Sequence, residues 1–284
     1  MESIKEQTYT DIEKVVVDGA STDGTLSVLH KVLDENSVLI SEPDHGIYDA
    51  LNKGFSLSTG QVIGILHSDD VFADEMVLTE VAEAFANPAV DAVYGDLAYV
   101  SREDIKHVMR YWRAGEFSQK KLVFGWMPPH PALFLRRNVI ENWGGFDTNY
   151  HISADYDAIL RYFSQDGFQV VYIPRVLVKM RVGGLSNQSL SKIWQKSFED
   201  FKILKKNKIG DDGIAALAEA HEMKKLEELD IQWNGITESG AWSLANSSRF
   251  PKLRILKLWG NEIGEKGRKA IETSPNFQIS NPVY

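Results

Sequence analysis

Two adjacent carboxylates, Asp69 and Asp70, closely follow a short apolar run in the amino-terminal half of the chain. The run, residues 62–66, predicts a strand buried on both faces, as in a parallel sheet with helices on either side. Ligands of open α/β sheets bind at the carboxyl ends of such strands. Two acids there can hold a hard divalent cation, Mn²⁺ or Mg²⁺, against a phosphate-bearing ligand. The competing interpretation is a turn, since Asp often begins turns and caps helices.

The elements around this run alternate between strand and helix patterns. Apolar runs at 15–17 and 38–40 predict strands, and apolar residues at helical spacing predict helices over 25–33 and 47–55. This alternation predicts an α/β fold class with parallel pairing and right-handed crossovers. Asp18 directly follows the first of these strands and begins a loop rich in Ser, Thr, Asp and Gly.

A possible anion site lies in the second predicted helix. Asp49 and Lys53 are four residues apart and therefore share one helix face. Since a helix amino terminus attracts anions, Lys53 is expected near a phosphate group. The alternative is a solvated ion pair between the two side chains, worth a few tenths of a kcal/mol.

Composition limits the classes of protein that fit. The chain has 284 residues, 43% hydrophobic and 25% charged, which is typical of one large or two ordinary globular domains. A net charge of -9 argues against general nucleic-acid binding, and the lack of cysteine excludes disulfides and thiolate metal sites. We expect a cytoplasmic protein, because no apolar stretch is long enough to span a bilayer. Four lysines raise the alternative of peripheral contact with the inner face of a membrane: Lys202, Lys205, Lys206 and Lys208.

The last part of the chain repeats itself every 27 residues. Three Asn residues and two leucine patterns share this interval: Asn207, Asn234 and Asn261, with Leu226-x-x-Leu229-x-Ile231 and Leu253-x-x-Leu256-x-Leu258. A strand, an Asn turn and a helix at this period resemble the ribonuclease-inhibitor type of leucine-rich repeat. We predict a first domain over 1–205, with a helix over 193–206 at its boundary with the repeats. An α/β segment of about two and a half repeats follows over 206–284, too short to be stable without support from its neighbour.

Several motifs, in order along the first 200 residues, together resemble one known family. They are Val17-Asp18-Gly19-Ala20-Ser21-Thr22-Asp23-Gly24-Thr25, Ser41-Glu42-Pro43-Asp44-x-Gly46-Ile47-Tyr48-Asp49-Ala50-x-Asn52-Lys53-Gly54, Ser68-Asp69-Asp70, Gly144-Gly145-Phe146-Asp147, and Ala154-Asp155-Tyr156-Asp157 with Arg161. This set resembles the family 2 inverting glycosyltransferases of the Rossmann-like GT-A fold. The resemblance implies metal-dependent transfer of a sugar from a UDP-, GDP- or dTDP-sugar donor, with inversion. The implied acceptor is a saccharide or a lipid-linked hydroxyl, in polysaccharide or glycolipid biosynthesis.

The resemblance implies donor-side roles for single residues. Asp18 is expected to contact the nucleotide base. Asp69 is expected nearer the ribose, and Asp70 is the stronger candidate for the metal ligand, with Asp69 as the second acid. The rest of the nucleotide-sugar site is expected to come from Asp49, Lys53 and Arg181, the last of which precedes two glycines and can reach a diphosphate from a loop.

On the acceptor side, the resemblance implies that Asp155 is the general base. From the residues alone, the favoured interpretation of Asp155 is an ordinary acid at the start of a helix. Asp157 is its rival and is otherwise expected at the acceptor. His130 is expected to line the acceptor site, although a histidine between prolines is more often structural.

The chain departs from the family pattern at both ends. In family members a first strand and a nucleotide-contacting loop precede the segment that resembles residues 2–9. We therefore expect roughly 20–30 residues to be missing, among them a central strand. Exposed strand edges, weak nucleotide affinity and low stability would follow. The repeat segment is either a partner-binding module or an accident of fusion.

Two other functions compete with the transferase. One is a catalytically impaired transferase fold that acts, if at all, by binding a protein partner through its leucine-rich segment. The other is a nucleotidyltransferase, which shares the need for a metal and a nucleotide. The acceptor-side motifs at residues 144–147 and 154–157 argue against the nucleotidyltransferase.

Overall fold

The computed structural model describes residues 1–122, 126–182, 210–219, 226–232 and 234–276. The chain divides into two compact units, Met1–Phe117 with Met127–Lys196 and Ser118–Trp126 with Ser197–Tyr284. Each unit mixes helices and strands, and the α/β fold class is confirmed.

Some features expected from the sequence lie outside the described residues. They are the helix over 193–206, the boundary after residue 205, Asn207 in the first repeat, and the lysines between 202 and 208.

The first unit is an alternation of short elements. Its strands are β1 (Lys14–Asp18), β2 (Ser37–Ser41), β3 (Val62–Gly64), β4 (Val71–Phe72), β5 (Ala92–Val100), β6 (Val108–Trp112), β7 (Leu133–Arg136) and β8 (Val170–Arg181). Its helices are α1 (Glu2–Lys5), α2 (Thr25–Val32), α3 (Ile47–Leu57), α4 (Val77–Ala84), α6 (Arg137–Trp143) and α7 (Ala154–Phe163), and a 3-10 turn over His130–Ala132 precedes β7. The predicted β1, α2, β2 and α3 are all confirmed to within about two residues at each end.

Strand β5 forms the centre of the larger sheet. Within the described residues this sheet has six strands in the order β3-β7-β5-β8-β4, with β6 paired to the far end of β5. β8 runs parallel to β5, whereas β7 and β6 pair antiparallel with successive stretches of its other edge. β5 is buried over almost its whole length, as expected for a strand with neighbours on both edges.

Helix α4 covers this sheet with a compact apolar core. Val77 and Val81 of α4 pack with Val93 and Leu97 of β5 and with Leu177 of β8. Gly95 lies where β5 and β8 shift register, and a Cβ there would lie 2.4 Å from Leu177 Cγ. Only glycine therefore allows the two strands to approach so closely at this irregularity.

The expected environment of β3 was wrong. β1 and β2 do pair in parallel, but β3 pairs antiparallel with β7, and its residues are half-buried or exposed. An apolar run identifies a strand without identifying its neighbour, and here the neighbour comes from residues 133–136, far along the chain. Within the described residues, β1 pairs only with β2 and β3 only with β7, so each strand has one unpaired edge.

The second unit contains the repeats. Its described elements are α5 (Gln119–Leu122), α8 (Gly210–Glu219), β9 (Glu228–Asp230), α9 (Glu238–Ala245), β10 (Ile255–Lys257) and α10 (Gly264–Glu272). β9 and β10 are parallel and pair residues that lie 27 apart, such as Leu229 with Leu256. The 27-residue period is therefore the register of neighbouring repeats, and its leucines form the buried core of this unit.

Asn261 ties the two described repeats together. Its Nδ2 donates to the carbonyls of Ile231 and Leu258 at 2.8 and 2.7 Å. Its Oδ1 accepts from the backbone N–H groups of Asn234 and Ile236 at 2.8 and 3.2 Å. One side chain thus satisfies four backbone groups at the turn after the strand, which explains why Asn recurs with the leucines.

We predict that Asn261→Ala destabilises this unit by about 2–4 kcal/mol, because the substitution leaves several buried backbone groups unpaired. Hydrogen exchange in the full chain should become faster over residues 226–276 and stay unchanged over β5. Asn246→Ala is the matched control, since exposed Asn246 donates only one recorded side-chain bond, to the Trp242 carbonyl. Equal protection in the two variants would contradict the bridging role of Asn261.

Candidate active site

Asp18, the last residue of β1, accepts hydrogen bonds from the loop that follows it and from β2. Asp18 is 7% exposed, and its Oδ2 accepts from the Ser21 N–H at 2.9 Å and from Ser41 Oγ, at the end of β2, at 2.6 Å. Hydrogen bonds from the Ser21 hydroxyl first, then from the Ser41 hydroxyl and the Ser21 N–H, lower the pKa of Asp18 below its ordinary value. Ala20, next in the loop, has a φ of 62°, a conformation that costs about 1 kcal/mol for a residue with a Cβ. The loop is thus shaped to keep an ionised carboxylate at the carboxyl end of β1.

The Lys53 ammonium group is paired with acidic side chains close to it in sequence. Its Nζ lies 2.9 Å from Glu42 Oε1 and 3.6 Å from Asp49 Oδ2, and it donates to the Pro43 carbonyl at 2.9 Å. Asp49 Oδ2 also accepts from the His45 N–H at 3.0 Å, just before α3. This arrangement matches the ion-pair alternative, and a phosphate would have to displace Glu42 to reach Lys53.

Asp69 and Asp70 occupy a tight turn after β3. The Asp70 N–H donates to the His67 carbonyl at 3.0 Å, and Arg181, the last residue of β8, donates to the Asp69 carbonyl at 2.7 Å. Asp69 is exposed, whereas Asp70 is 3% exposed. The turn of the competing interpretation is therefore present, and Arg181 lies beside it at the end of a strand, not in the loop expected from the sequence.

The charge of the Asp70 carboxylate is not balanced by hydrogen-bond donors among the described residues. Both of its oxygens are buried and have no hydrogen-bond partner among the described residues. Burial, and then the charge of Asp69, raise the pKa of Asp70 to about 7. A buried carboxylate without donors is costly unless it binds a proton or a cation.

The donor set suits a hard divalent cation shared with a ligand. Asp70 offers two unpartnered carboxylate oxygens, and exposed Asp69 offers two more beside them. Within the described residues, no group of three His, Cys, Asp or Glu side chains forms a site of its own. Mg²⁺-type ions are commonly held by one or two carboxylates together with substrate phosphates, and these two acids fit that pattern.

Asp155 lies in the first turn of α7, where two other segments reach it. His130 Nδ1 is 2.9 Å from Asp155 Oδ2, and the Tyr48 hydroxyl, from α3, is 3.1 Å from Asp155 Oδ1. The side chain of Asp155 is 14% exposed. The carboxylate is therefore held in one orientation while part of it remains accessible, as a general base requires.

Asp157, the rival of Asp155, faces the opposite way into the protein. Its side chain is fully buried, and its Oδ2 accepts from Arg161 at 2.9 Å. Arg161 also donates to the carbonyls of Gly144 and Gly145 at 3.1 and 2.9 Å. An acceptor would therefore have to displace Arg161 to reach the Asp157 carboxylate.

The turn at residues 144–147 is also fixed from α3. Asn52 donates to the Phe146 carbonyl at 2.9 Å and accepts from the Phe146 N–H at 2.8 Å. The ring of Phe146 lies 5.2 Å from that of Tyr48 and 5.3 Å from that of Phe55. Motifs that are about 90 residues apart in sequence are thus in direct contact.

Two histidines connect Asp155 to the acidic turn. His67 Nε2 lies 3.3 Å from His130 Nε2, and their rings meet edge to face at 5.5 Å. Burial, and then the neighbouring His130, lower the pKa of His67 to about 4, so His67 is neutral at pH 7. The sequence drew attention to His130 but not to His67, although His67 directly precedes the Ser68-Asp69-Asp70 motif. Tyr48 stood in a quoted motif without an assigned role.

The structure thus groups some predicted residues and separates others. Asp69, Asp70 and Arg181 meet at one turn, and His130 and Asp155 adjoin it through His67. Asp18 ends a different sheet, and Lys53 lies in its local ion-pair cluster.

Within the described residues, no helix combines the length and apolar character that crossing a membrane requires.

Comparisons with known families identify two regions. The family described as Glycosyl transferase family 2 matches residues 1–143, and the one described as Leucine Rich repeat matches residues 203–218 and 222–245. A PGL/p-HBAD biosynthesis glycosyltransferase of Mycobacterium bovis (strain BCG / Pasteur 1173P2) is 32% identical over 201 residues, covering 69% of this chain and 76% of that protein.

Solved structures share the fold. The mannosyltransferase PcManGT from Pyrobaculum calidifontis, in complex with GDP-Man and Mn²⁺, has a TM-score of 0.51 at 23% identity, over 72% of this chain and 58% of that chain. S. aureus TarS 1-349 in complex with UDP has a TM-score of 0.53 at 14% identity, over 86% of this chain and 64% of that one. This chain therefore spans about three-fifths of the length of these structures.

We predict that Asp70→Asn stabilises the metal-free protein at pH 8. The pKa of Asp70 is raised by folding, so the parent loses stability as the pH rises from about 4 to about 7, and the neutral amide avoids that loss. The expected gain at pH 8 is about 2 kcal/mol, or roughly 4–8 °C in melting temperature, and it should vanish at pH 4.

The same thermal melts test the cation site. Adding Mn²⁺ at pH 8 should raise the melting temperature of the parent but not that of Asp70→Asn. Asp166→Asn is the matched control, since Asp166 is exposed and lies outside the site. An Mn²⁺ response that is equal in all three proteins would argue against Asp70 as a ligand.

Proposed function

Because the chain belongs to glycosyltransferase family 2, we propose that it transfers a sugar from a nucleotide-diphosphate-sugar donor to an acceptor hydroxyl, with inversion. The observation that carries this proposal is the buried Asp70 carboxylate, which has no hydrogen-bond donor among the described residues and lies beside exposed Asp69. A diphosphate with a divalent cation supplies the positive charge and the ligands that this pair lacks.

The donor side of the proposed site consists of Asp18, Asp69, Asp70 and Arg181. Asp18 is proposed to accept hydrogen bonds from the nucleotide base, since it stays ionised at the end of β1. Arg181 is proposed to contact the diphosphate from the edge of the acidic turn. When bound, Mn²⁺ or Mg²⁺ neutralises the charge that develops on the leaving diphosphate. Solved relatives that hold GDP-Man with Mn²⁺, or UDP, support a donor of this kind.

Asp155 is proposed as the general base. The acceptor hydroxyl oxygen bonds to the anomeric carbon while the bond from that carbon to the diphosphate oxygen breaks. The hydroxyl proton passes to Asp155, and the bonding electron pair leaves with the nucleoside diphosphate. Attack from the face opposite the leaving group inverts the anomeric centre. The held and partly exposed carboxylate of Asp155 supports this role.

We propose a lipid-linked acceptor on the name of one relative. The mycobacterial relative is named for PGL/p-HBAD biosynthesis, and this chain covers 76% of it. We therefore place the reaction in glycolipid biosynthesis rather than in the assembly of a soluble polysaccharide.

A second candidate function is that of an impaired transferase fold, and the strand arrangement bears on the impairment. Asp18 lies on the β1–β2 sheet and Asp70 follows β3, and no ladder joins these two sheets in the described residues. If the two halves of the donor site do not hold their spacing, catalysis is impaired and the repeat segment remains as a module for a protein partner.

Donor turnover separates these two functions. The full chain is assayed with Mn²⁺ and UDP-glucose, UDP-N-acetylglucosamine or GDP-mannose, and release of the nucleoside diphosphate is measured. Asp155→Asn should lower the rate by about 10²-fold or more without changing nucleotide affinity, because it removes only the base. Asp70→Asn should raise the Mn²⁺ concentration that is needed.

Asp166→Asn again serves as the control, and it should match the parent. Equal release of the nucleoside diphosphate by all four proteins would reject the transferase mechanism. In that case, a saturable protein partner captured by the full chain would support the second function.

A further inference from the structure

His130 is placed between the proposed base and the acidic turn, and both of its ring nitrogens are in use. Nδ1 faces Asp155 Oδ2 at 2.9 Å, and Nε2 faces His67 Nε2 at 3.3 Å. An ionised carboxylate only accepts hydrogen bonds, so the short contact requires the proton on His130 Nδ1. Direct binding of an acceptor by His130 would require one of these two contacts to break.

His130 is a stronger donor to Asp155 than Tyr48 is. The Tyr48 hydroxyl has one proton and two acceptors within reach, the Ile152 carbonyl at 2.6 Å and Asp155 Oδ1 at 3.1 Å. The shorter distance to Ile152 indicates that the proton points mainly at the carbonyl. Of these two neighbours, His130 therefore fixes the plane of the Asp155 carboxylate.

The backbone of His130 is restricted by neighbouring prolines, so its ring keeps a fixed position relative to Asp155. Prolines on both sides form the 3-10 turn, and Pro131 and Ala132 are buried next to β7. β7 in turn pairs with β3, whose carboxyl end leads to His67 and the acidic turn. The histidine pair thus closes a loop of contacts from β3, through β7 and His130, back to His67.

On the premise of the proposed function, we propose that His130 is a positioning residue for the general base. Its Nδ1–H holds the Asp155 carboxylate in the orientation that receives the acceptor proton. Its Nε2, through His67, links that orientation to the turn that carries Asp69 and Asp70. In this role His130 acts through Asp155 and not on the reacting atoms.

Long-range ¹H–¹⁵N correlation of the histidine rings tests the contact without any turnover. His130 should carry its proton on Nδ1, and Asp155→Ala should move that proton to Nε2, because the carboxylate acceptor is gone. The spectrum of His130→Asn assigns the His130 signals. An Nε2–H tautomer in the parent, or no change in Asp155→Ala, would overturn the proposal even if the enzyme is active.

Kinetics test the consequence for catalysis, using the donors named above. His130→Ala should lower kcat by roughly 10- to 100-fold while the donor KM stays within about twofold, because only the orientation of the base is lost. His130→Asn should recover most of kcat, since the asparagine Nδ2 lies near the position of the histidine Nδ1 and can donate to Asp155. His30→Asn, on the exposed face of α2, is the matched control and should behave as the parent.

The outcomes separate this proposal from the proposed function. If His130→Asn is as slow as His130→Ala, or if donor KM changes in place of kcat, the positioning role is wrong although the transferase stands. If the parent turns over none of the donors, the proposed function fails, and with it the catalytic role of His130. The ring spectra then still decide whether His130 holds Asp155.

Discussion

The turn at residues 144–146 is the constraint on which the contact between Tyr48 and Asp155 depends. Asn52, on α3, forms two hydrogen bonds with the Phe146 backbone. Arg161, on α7, is paired with buried Asp157 and donates hydrogen bonds to the two glycine carbonyls. The turn therefore fixes the spacing between the two helices. Only at that spacing does the Tyr48 hydroxyl, on α3, meet Asp155, on α7. The distance between Tyr48 and Asp155 thus depends on contacts made elsewhere on the two helices.

Much of the fold follows from local sequence. β1, α2, β2 and α3 could be predicted because each is defined by its own apolar periodicity and by loop residues such as Gly24 and Gly46. The 27-residue repeat was readable for a related reason, since neighbouring repeats pair in register. The partner of β3 could not be predicted, because strand pairing depends on which distant segment of the chain lies beside the strand in the folded protein. An apolar run is the same whether its neighbour is parallel or antiparallel.

The site shows the same division between local and distant information. The turn at Asp69 and Asp70 was predictable from its place after a strand, and the structure adds that one acid is exposed and the other buried. The roles of Asp155 and Asp157 were not separable, because both lie in the first turn of one helix. Burial and the position of Arg161 distinguish them. His67 was overlooked because its significance lies in a contact with a residue 63 positions away.

The contact between Asn52 and Gly145 limits which substitutions these two positions can accept. A Cβ at position 145 would lie 2.3 Å from Asn52 Oδ1, so even alanine collides with that side chain. Shortening the residue at position 52 makes room but removes both bonds to Phe146. Neither position can accept a neutral substitution while the other stays as it is. The two sites are therefore epistatic, and evolution must change them together or keep them both.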